Sequence, residues 1–434
     1  MQRRTRFTRR ATLGATVLVA ALGLTACSGG GGGASSDALT AKGPITIWYS
    51  NNEQEVTWGK AMVEAWNADH PDEQVKGQEI PAGKSSEEVI GAAITAGNAP
   101  CLVYNTAPSA VGQFQKQGGL VDLSSFDDGA SYIEERSGDL AKQYQDADGK
   151  YYQLPWKSNP VMIFYNKDLF TKAGLDAENP DLSTYDDFLA TSKTLVDAGV
   201  SKYAIHPAPT SEFFQSQFDF MPLYAAETGG TGLVEDGKAT FADTAGEDVA
   251  TFWRSLYEQG LAGQEQYTGD SFADGEAAMS IVGPWAVSVY EDVNWGAVPV
   301  PTKDGTSADE TYTFSDAKNV GMYTACENQG TAWDFLKFST SSDQDRALLE
   351  TTGQMPIRTD LASTYSDYFD ANPSYALFGD QAARTVEVPA GPNTVAELQA
   401  FRDAWSSSVI FGKGDVDSSL KDAADKIDEL AAQG

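Results

Sequence analysis

The 434-residue sequence has few of the side chains that catalytic sites use. It contains two histidines, His70 and His206, and each directly precedes a proline. Neither has a partner at the spacing of zinc ligands, and no Gly-x-Ser-x-Gly turn is present for a nucleophilic serine. We therefore expect no catalytic residues, no metal and no cofactor.

Basic residues are also scarce. Thirty lysines and arginines stand against 62 aspartates and glutamates, which gives a net charge of -32. No basic stripe is present that could follow a phosphate backbone, and this argues against nucleic acid as a partner. After residue 26, no apolar run is long enough to cross a bilayer. Acidity of this kind is typical of a soluble, exposed surface.

Two near matches to ligand-binding loops fail on spacing. Residues 77–85 resemble a P-loop, but the motif is one residue too long, and Pro81 would stiffen a loop that must wrap phosphate. Residues 146–149 resemble the start of a calcium loop but lack the later ligands. With so many acidic residues, a carboxylate pair for glycoside hydrolysis stays open, although nothing in the sequence singles out a pair.

The N-terminal residues are predicted to be an export signal followed by a tether. Five arginines precede the apolar run 11–25. At the end of that run, Leu24-Thr25-Ala26-Cys27 matches the lipobox, the motif whose cysteine takes a lipid. Glycine and serine dominate residues 28–36, as in flexible coils. An ordinary signal peptide with a chance cysteine is the alternative, and the export route, general or twin-arginine, is left open. The predicted segments are a lipoprotein signal peptide over 1–26 and a Gly/Ser-rich tether over 27–43.

From residue 44 onward, short strands alternate with amphipathic helices, which indicates α/β layers. Residues 44–105 fit a βαβαβ unit, which implies parallel strands. Residues 151–166 are apolar and extended in pattern but are interrupted by Pro155 and Pro160. This suits a strand that crosses between two lobes. The roughly 390 residues after the tether are enough for two domains with sizeable cores.

Several segments, in order, resemble the family 1 extracellular solute-binding proteins, the receptors of sugar-importing ABC transporters. The most specific are residues 277–285, Ala-Ala-Met-Ser-Ile-Val-Gly-Pro-Trp, and 353–358, Gly-Gln-Met-Pro-Ile-Arg. The resemblance implies a two-lobed, type II periplasmic-binding-protein-like fold, with three crossings and a ligand cleft that closes by hinge motion. Weaker matches are residues 45–50, 65–71, 96–100 and 154–167. The implied lobes are 44–154 plus 317–360 for lobe one and 158–312 plus 363–434 for lobe two, with the helices after 394 on lobe two.

The sequence departs from this family at Cys101, where an aspartate is usual. The family topology places the strand from residue 102 antiparallel to the strand from residue 320. That arrangement brings Cys101 and Cys326 to the same edge of lobe one. The resemblance therefore implies a disulfide between them in an oxidising compartment, and the alternative is two buried free thiols.

The resemblance also implies that the chain binds a carbohydrate, most simply an oligosaccharide. A monomer anchored through Cys27 to the outer face of the cell membrane would deliver it to the permease subunits of an ABC importer. Aromatic faces suit the C–H faces of sugars, and buried polar groups suit their hydroxyls. Trp285, after Gly-Pro at a strand end, is the first stacking candidate and Trp156 the second. Phe213, Phe214 and Phe218 add an aromatic cluster to lobe two. The remaining predicted contacts are Asn51, Asn52, Glu53, Asn105, Thr106, Lys157, Asn159, Phe314, Asp316, Asn319 and Arg358.

Other functions stay open at this point. The same fold could bind a polyol, a phosphorylated polyol or a peptide, and an extracellular glycosidase is a more distant alternative. A phosphate ligand needs a basic pocket, and Lys157, Lys318 and Arg358 are the basic residues near the predicted cleft. A neutral oligosaccharide is favoured for that reason.

Overall fold

The computed structural model describes residues 36–50, 52–81, 85–388 and 391–433. The predicted signal peptide, Cys27 and Asn51 lie outside these ranges. Within them, no helix is both long and apolar enough to cross a bilayer. Nor do the histidine, cysteine and acidic side chains of these ranges form a group of three or more that could hold a metal ion.

The α/β class predicted from the sequence is confirmed, with strands and helices distributed along the whole described chain. The strands are β1 (Ile45–Tyr49), β2 (Val75–Glu79), β3 (Leu102–Thr106), β4 (Leu154–Ser158), β5 (Met162–Asn166), β6 (Tyr203–Ile205), β7 (Val234–Glu235), β8 (Lys238–Ala239), β9 (Ala277–Val282), β10 (Trp295–Val298), β11 (Thr313–Phe314), β12 (Lys318–Met322), β13 (Met355–Pro356) and β14 (Thr385–Val386). The helices are α1 (Ser36–Thr40), α2 (Glu53–Asp69), α3 (Ser86–Ala96), α4 (Pro108–Lys116), α5 (Gly129–Ser137), α6 (Lys167–Lys172), α7 (Tyr185–Asp197), α8 (Phe220–Thr228), α9 (Thr244–Glu258), α10 (Gln329–Ser339), α11 (Ser342–Thr352), α12 (Leu361–Thr364), α13 (Ser366–Ala371), α14 (Pro373–Gln381), α15 (Thr394–Trp405) and α16 (Val416–Ala431).

Lobe one is built on a six-stranded sheet in the order β13-β4-β12-β3-β1-β2. Strand β1 pairs in parallel with β2 and β3, as the βαβαβ reading predicts. Strand β12 returns from late in the chain and lies antiparallel to both β3 and β4. Helices on both faces bury the sheet: Leu102 and Tyr104 of β3 pack into one core, and Val103 packs into the other.

Lobe two is built on a four-stranded sheet in the order β10-β5-β9-β6. Its strand β5 reads Met-Ile-Phe-Tyr, an unbroken apolar run, because both faces of the sheet are covered. Ile163 and Tyr165 pack into the core that holds α15 and α16. Met162 and Phe164 point the other way, into the core that holds α12 to α14. The helices after residue 394 therefore pack on lobe two.

Three segments connect the lobes. The chain passes from β4 to β5, returns from β11 to β12, and leaves lobe one again between β13 and α12. The first two crossings lie side by side, and Pro160 bridges to Ser315 between them. Because the crossings are adjacent, they form a common floor beneath the space between the lobes.

The start of the folded region differs from the prediction. The tether was expected to extend to residue 43, but Leu39 of α1 packs against the core of lobe one. The Lys42 ammonium donates to the Gly330 carbonyl at 3.0 Å, and the Gly43 N–H donates to the Thr331 hydroxyl at 3.1 Å. The residues that follow Thr40 are therefore held against α10.

Candidate ligand-binding cleft

A cavity of about 280 Å³ lies between the lobes, at the carboxyl end of β3. Open α/β sheets bind ligands at this end of their strands. We call this space the cleft cavity. Lobe one supplies Glu87 and the start of α4, lobe two supplies a 3₁₀ helix, Phe213–Phe218, and the β11–β12 crossing supplies the floor. Its lining residues are Glu87, Ala107, Pro108, Ser109, Phe213, Phe214, Gln217, Phe218, Phe314, Ser315, Asp316, Ala317, Lys318, Glu387 and Val388.

The lobe-two side of the cleft cavity is aromatic. Phe213, Phe214 and Phe218 line it from one short helix, and we call these three side chains the aromatic wall. Phe214 is 37% exposed, an unusual position for so large an apolar side chain. The cluster that the sequence suggested is therefore assembled on the cavity, where flat apolar faces can cover the apolar side of a ligand.

A buried arginine fixes the segment that carries this wall. Arg402 of α15 donates to Asp219, directly after the wall, at 2.6 Å, and neither side chain is exposed to solvent. The same guanidinium donates to the carbonyls of Ala208 and Thr210, directly before it, at 3.1 and 2.8 Å. Trp405 adds a hydrogen bond to Asp219 at 3.0 Å. Both ends of the segment are thus tied to one helix.

Trp285, the first stacking candidate, stands beside the aromatic wall. Its ring packs edge to face on Phe218, with 6.2 Å between ring centroids, and it is half-buried between the two cores of lobe two. The ring folds back over Gly283, where a Cβ atom would lie 2.1 Å from the indole. The backbone of Gly283 is extended and unstrained, so its conformation does not require glycine. The close approach of the Trp285 ring is what leaves no room for a side chain at this position.

The lobe-one side is lined by small side chains. Ala107, Pro108 and Ser109 form the turn from β3 into α4, and they leave the space that the cavity occupies. The lobes also touch directly, because the Ser288 hydroxyl of lobe two donates to the Gln54 side chain of lobe one at 3.3 Å. The structure thus has its two lobes in close approach.

A second contact between the lobes depends on glycine. Gly112 of α4 lies so close to the segment before α15 that a Cβ atom would be 2.2 Å from the carbonyl oxygen of Gly391. That segment belongs with lobe two, since the Asn393 amide donates to the Leu430 carbonyl of α16 at 2.8 Å. Residue 112 must therefore lack a side chain for the lobes to approach this closely.

The floor of the cavity combines an ion pair with a buried carboxyl group. Asp316 and Lys318 pair at 2.6 Å. Burial lowers the pKa of Lys318, but the adjacent Asp316 charge outweighs this and the pKa is raised. Burial raises the pKa of Glu387 to about 8, so this carboxyl group holds its proton near neutral pH. Phe314, predicted as a contact, is 2% exposed and also lines the cavity.

A polar network joins the three crossings behind this floor. Lys157 of the first crossing forms a buried ion pair with Glu55 of α2. Gln354, next to the third crossing, donates to Glu55 at 2.7 Å and accepts from Asn159 at 3.1 Å. Asn159 also donates to the Asp316 carbonyl at 3.2 Å. The crossings therefore share hydrogen bonds that any relative movement of the lobes must accommodate.

The opposite charges of Lys157 and Glu55 stabilise this network. Burial raises the pKa of Glu55, but the Lys157 charge and three side-chain hydrogen bonds outweigh burial and lower it. Burial is the larger effect on the partner, so the pKa of Lys157 is lowered. The side-chain amide oxygen of Asn159, Oδ1, is buried without a hydrogen-bond partner among the described residues, which leaves one acceptor beside the floor.

Several predicted contacts point away from the cavity. Trp156 is fully buried in lobe one, where its ring centroid lies 5.2 Å from that of Trp58 and 5.3 Å from that of Tyr104. Thr106 bonds to Tyr323 and to a carbonyl of its own strand. Asn319 bonds to Gln153 and to the Trp156 backbone. These side chains stabilise lobe one, so the structure does not bring them into the cleft.

The remaining predicted residues have other partners. Asn52 caps α2 by accepting from two backbone N–H groups, and Glu53 is exposed on the first turn of that helix. Asn105 is half-buried at the end of β3. Arg358 pairs with the buried Asp345 at 3.0 Å and lines a different groove, on the far side of the crossings. Lys157, Lys318 and Arg358, the three basic residues near the cleft, are thus each paired with a carboxylate.

The structure contains the disulfide that the resemblance implied. Cys101 precedes β3, Cys326 follows β12, and their Cα atoms are 4.5 Å apart. The antiparallel pairing of those strands, with Met322 opposite Leu102, brings the cysteines together. The bond ties residues 225 positions apart within lobe one.

Sequence reasoning missed two positions that shape the candidate site. Glu387 follows β14 in the run Val-Glu-Val, where alternation gives no reason to expect a buried acid. Arg402 lies on the buried face of α15, although arginine usually faces solvent. An isolated charge inside an otherwise apolar pattern is the signal that could have found either one.

These features define a class of protein: two α/β lobes, three crossings and a cavity between them. Comparison with known families agrees. The model of the bacterial extracellular solute-binding proteins matches residues 61–376, and the chain belongs to that family.

Individual relatives are distant but cover much of the chain. A binding protein of Brucella abortus (strain 2308) is 27% identical over 296 residues, which is 65% of this chain and 68% of that protein. The galactooligosaccharide-binding protein of Bacillus subtilis (strain 168) is 24% identical over 438 residues, 94% of each chain. Among solved structures, the cyclic alpha-maltosyl-1,6-maltose binding protein of Arthrobacter globiformis matches with a TM-score of 0.76 and 22% identity, covering 91% of this chain and 100% of that one. The last likeness establishes the two-lobed fold.

Proposed function

We propose that this protein binds a carbohydrate in the cleft cavity and delivers it to an ABC importer. The observation that carries the proposal is the arrangement of the cavity, with an aromatic wall on one lobe and hydrogen-bonding groups on the floor. Aromatic faces bury the C–H faces of a sugar, and Asp316, Glu387 and Ser109 supply partners for its hydroxyls. The names of the relatives, which include a galactooligosaccharide-binding protein and a cyclic maltosyl-maltose binding protein, support the same ligand class.

The ionic pairing in the cleft disfavours a phosphorylated ligand. A phosphate group needs free cationic or N–H donors, and Arg and Lys are its usual partners. Among the described residues that line the cavity, Lys318 is the single cation, and it is already paired with Asp316. We therefore favour a ligand without negative charge over a phosphorylated polyol.

We also propose that the protein binds without catalysis, as a monomer anchored in the membrane. The lipobox supports lipid attachment at Cys27, on the outer face of the cell membrane. Replacing Cys27 with serine should move the protein from the membrane fraction to the soluble fraction. Mass spectrometry of the purified native protein should find two or three acyl chains on that residue, and an unmodified N-terminal region would contradict the anchor.

The binding proposal is tested by thermal unfolding of the purified chain with a panel of mono-, di- and oligosaccharides. A ligand that binds the folded state raises the melting temperature. Phe218→Ala should weaken the best binder by roughly 10- to 100-fold, the loss of one good aromatic contact. Phe411→Ala, which removes an exposed ring outside the cavity, is the matched control. If no sugar shifts the melting temperature, or if both variants bind equally well, the cleft cavity is not a sugar site.

A further inference from the structure

Glu387 is a buried acid that faces the cleft cavity and has no cationic partner among the described residues. It is 8% exposed and lines the floor of the cavity. Its carboxyl group interacts with the hydroxyl groups of Ser315 and Tyr144, but it forms no ion pair with a cation among the described residues. A buried carboxyl group without a cationic partner is costly to ionise, so a ligand that carries a cation would stabilise its charged form.

The groups around Glu387 give the floor more carboxyl groups than cations. Asp316 and Lys318 face it from the β11–β12 crossing, Tyr144 faces it from the 3₁₀ helix Gly138–Tyr144, and Glu87 approaches the cavity from α3. Lys318 already pairs with Asp316, and Tyr144 is neutral because burial raises its pKa well above the ordinary value. The described floor therefore offers carboxyl groups without a free cation.

The aromatic wall lines the same cavity. The face of an aromatic ring carries partial negative charge and attracts a cation within about 6 Å of its centroid. Aromatic faces and carboxyl groups together form a site suited to an ammonium group. A hydroxyl group, which has no charge, is a weaker partner for the same site.

We propose that the ligand is a carbohydrate that carries a basic amino group, placed between the aromatic wall and Glu387. This inference rests on the proposed function, because it specifies which class of carbohydrate the cleft selects. Sugars with hydroxyl or N-acetyl groups at the same carbon bind more weakly, because they offer Glu387 no positive charge.

Release of a proton from Glu387 on binding is a second measurable consequence of this proposal. Without ligand, Glu387 is protonated at about pH 6.5, since its pKa is about 8. An ammonium group favours the ionised carboxylate, so binding lowers the pKa of Glu387 and releases up to about one proton. A neutral sugar has no such effect.

The test uses calorimetry on the full chain at about pH 6.5 in two buffers of different ionisation enthalpy. The probes are matched sugar sets in the gluco, galacto and manno series, from monomers to trimers, with a hydroxyl, an amino or an N-acetyl group at C2. At least one amino sugar should bind roughly 10- to 100-fold more tightly than its hydroxyl and N-acetyl counterparts. Its binding enthalpy should depend on the buffer, with proton release.

Two variants distinguish specific binding at Glu387 from nonspecific attraction of a cationic sugar to an acidic protein. Glu387→Gln should abolish both the amine preference and the proton release, so that amino sugars bind no more tightly than their hydroxyl counterparts. Glu276→Gln removes one carboxylate of lobe two outside the cavity and should change neither. Equal binding of amino and neutral sugars, or an amine preference that survives Glu387→Gln, overturns the inference and leaves carbohydrate binding intact. If neither amino nor neutral sugars bind, the proposed function fails together with it.

Discussion

The two lobes bury their charges in different places. Lobe one places two ionic networks next to the crossings: Lys157 with Glu55, and Asp345 with Arg136 and Arg358. Lobe two places one ion pair directly behind the aromatic wall. The buried charges of lobe one therefore hold the crossings, whereas the buried ion pair of lobe two holds the aromatic wall, the surface proposed to meet the ligand.

Redundancy also distinguishes the two networks. Asp345 is bound by two arginines, and Arg136 alone holds both of its carboxyl oxygens at 2.9 Å. Asp219 of lobe two depends on one arginine, Arg402. Removing one partner from a buried ion pair leaves an uncompensated charge, so the lobe with a single arginine should be the more vulnerable.

The largest expected effect is therefore in lobe two. Arg402→Met should reduce the free energy of unfolding by about 3–5 kcal/mol, because it strands Asp219 in an apolar core. Denaturant unfolding followed by tryptophan fluorescence measures this loss. Ligand affinity at a temperature where the variant is folded should also fall, since the aromatic wall loses its anchor. A loss below about 1 kcal/mol would mean that Trp405 and the backbone hold Asp219 without the arginine.

The second effect belongs to lobe one. Replacing Cys101 and Cys326 together with serine should reduce the free energy of unfolding by about 2–5 kcal/mol, because the bond closes a long loop in the unfolded chain. The same loss should appear in the native protein after reduction. Ligand affinity should remain unchanged, since neither cysteine lines the cleft cavity. A strong effect on affinity would show that the lobes are not as separate as the comparison holds.

A third prediction concerns the contact between the lobes. Gly112→Ala places a methyl group against the Gly391 carbonyl, and overpacking of this kind costs about 1–3 kcal/mol. The lobes can avoid the clash by opening, so ligand affinity should fall roughly 5- to 100-fold. Small-angle scattering should show a larger radius of gyration with ligand than for the unaltered protein.

Gly91→Ala is the matched control for that variant. Gly91 also lies within a lobe-one helix, but a Cβ atom there meets its nearest neighbour, Phe114, at 3.7 Å. Alanine should therefore be accepted, with a gain of about 0.5–1 kcal/mol from helix propensity. If both alanine variants bind ligand normally, the Gly112 contact is not part of the closed state.

The smallest expected effect tests redundancy in lobe one. Arg358→Met should cost about 1 kcal/mol of unfolding free energy, because Arg136 keeps Asp345 paired. Denaturant unfolding of this variant next to Arg402→Met compares the two networks directly. A cost as large as that of Arg402→Met would show that Asp345 needs both arginines.

Much of the fold follows from local sequence pattern. The alternation in residues 45–49 and the apolar run at 102–104 gave strands that the structure contains. The amphipathic pattern after residue 394 gave helices, and the family resemblance placed them on lobe two. The strand and helix predictions are confirmed because periodicity records which faces of an element are buried.

The residues that line the cleft were harder to predict, because the direction in which a side chain points decides whether it reaches the cleft. Residue type alone does not give that direction. Trp156 and Trp285 both follow a proline and were both predicted to stack on the ligand, yet one packs inside lobe one and the other stands beside the aromatic wall. Lys157 was expected to face the ligand, but its partner Glu55 lies 102 positions earlier in the chain. No local pattern links residues so far apart, so these assignments need the three-dimensional structure.

The position of the disulfide has a consequence for the order of assembly. A chain that emerges amino terminus first carries Cys101 as a free thiol until 225 more residues have followed. In the folded lobe, strand β12 lies between β3 and β4, and this position holds the two cysteines next to each other. The bond therefore cannot form before Cys326 has emerged, and an earlier bond at Cys101 can only be with the wrong partner.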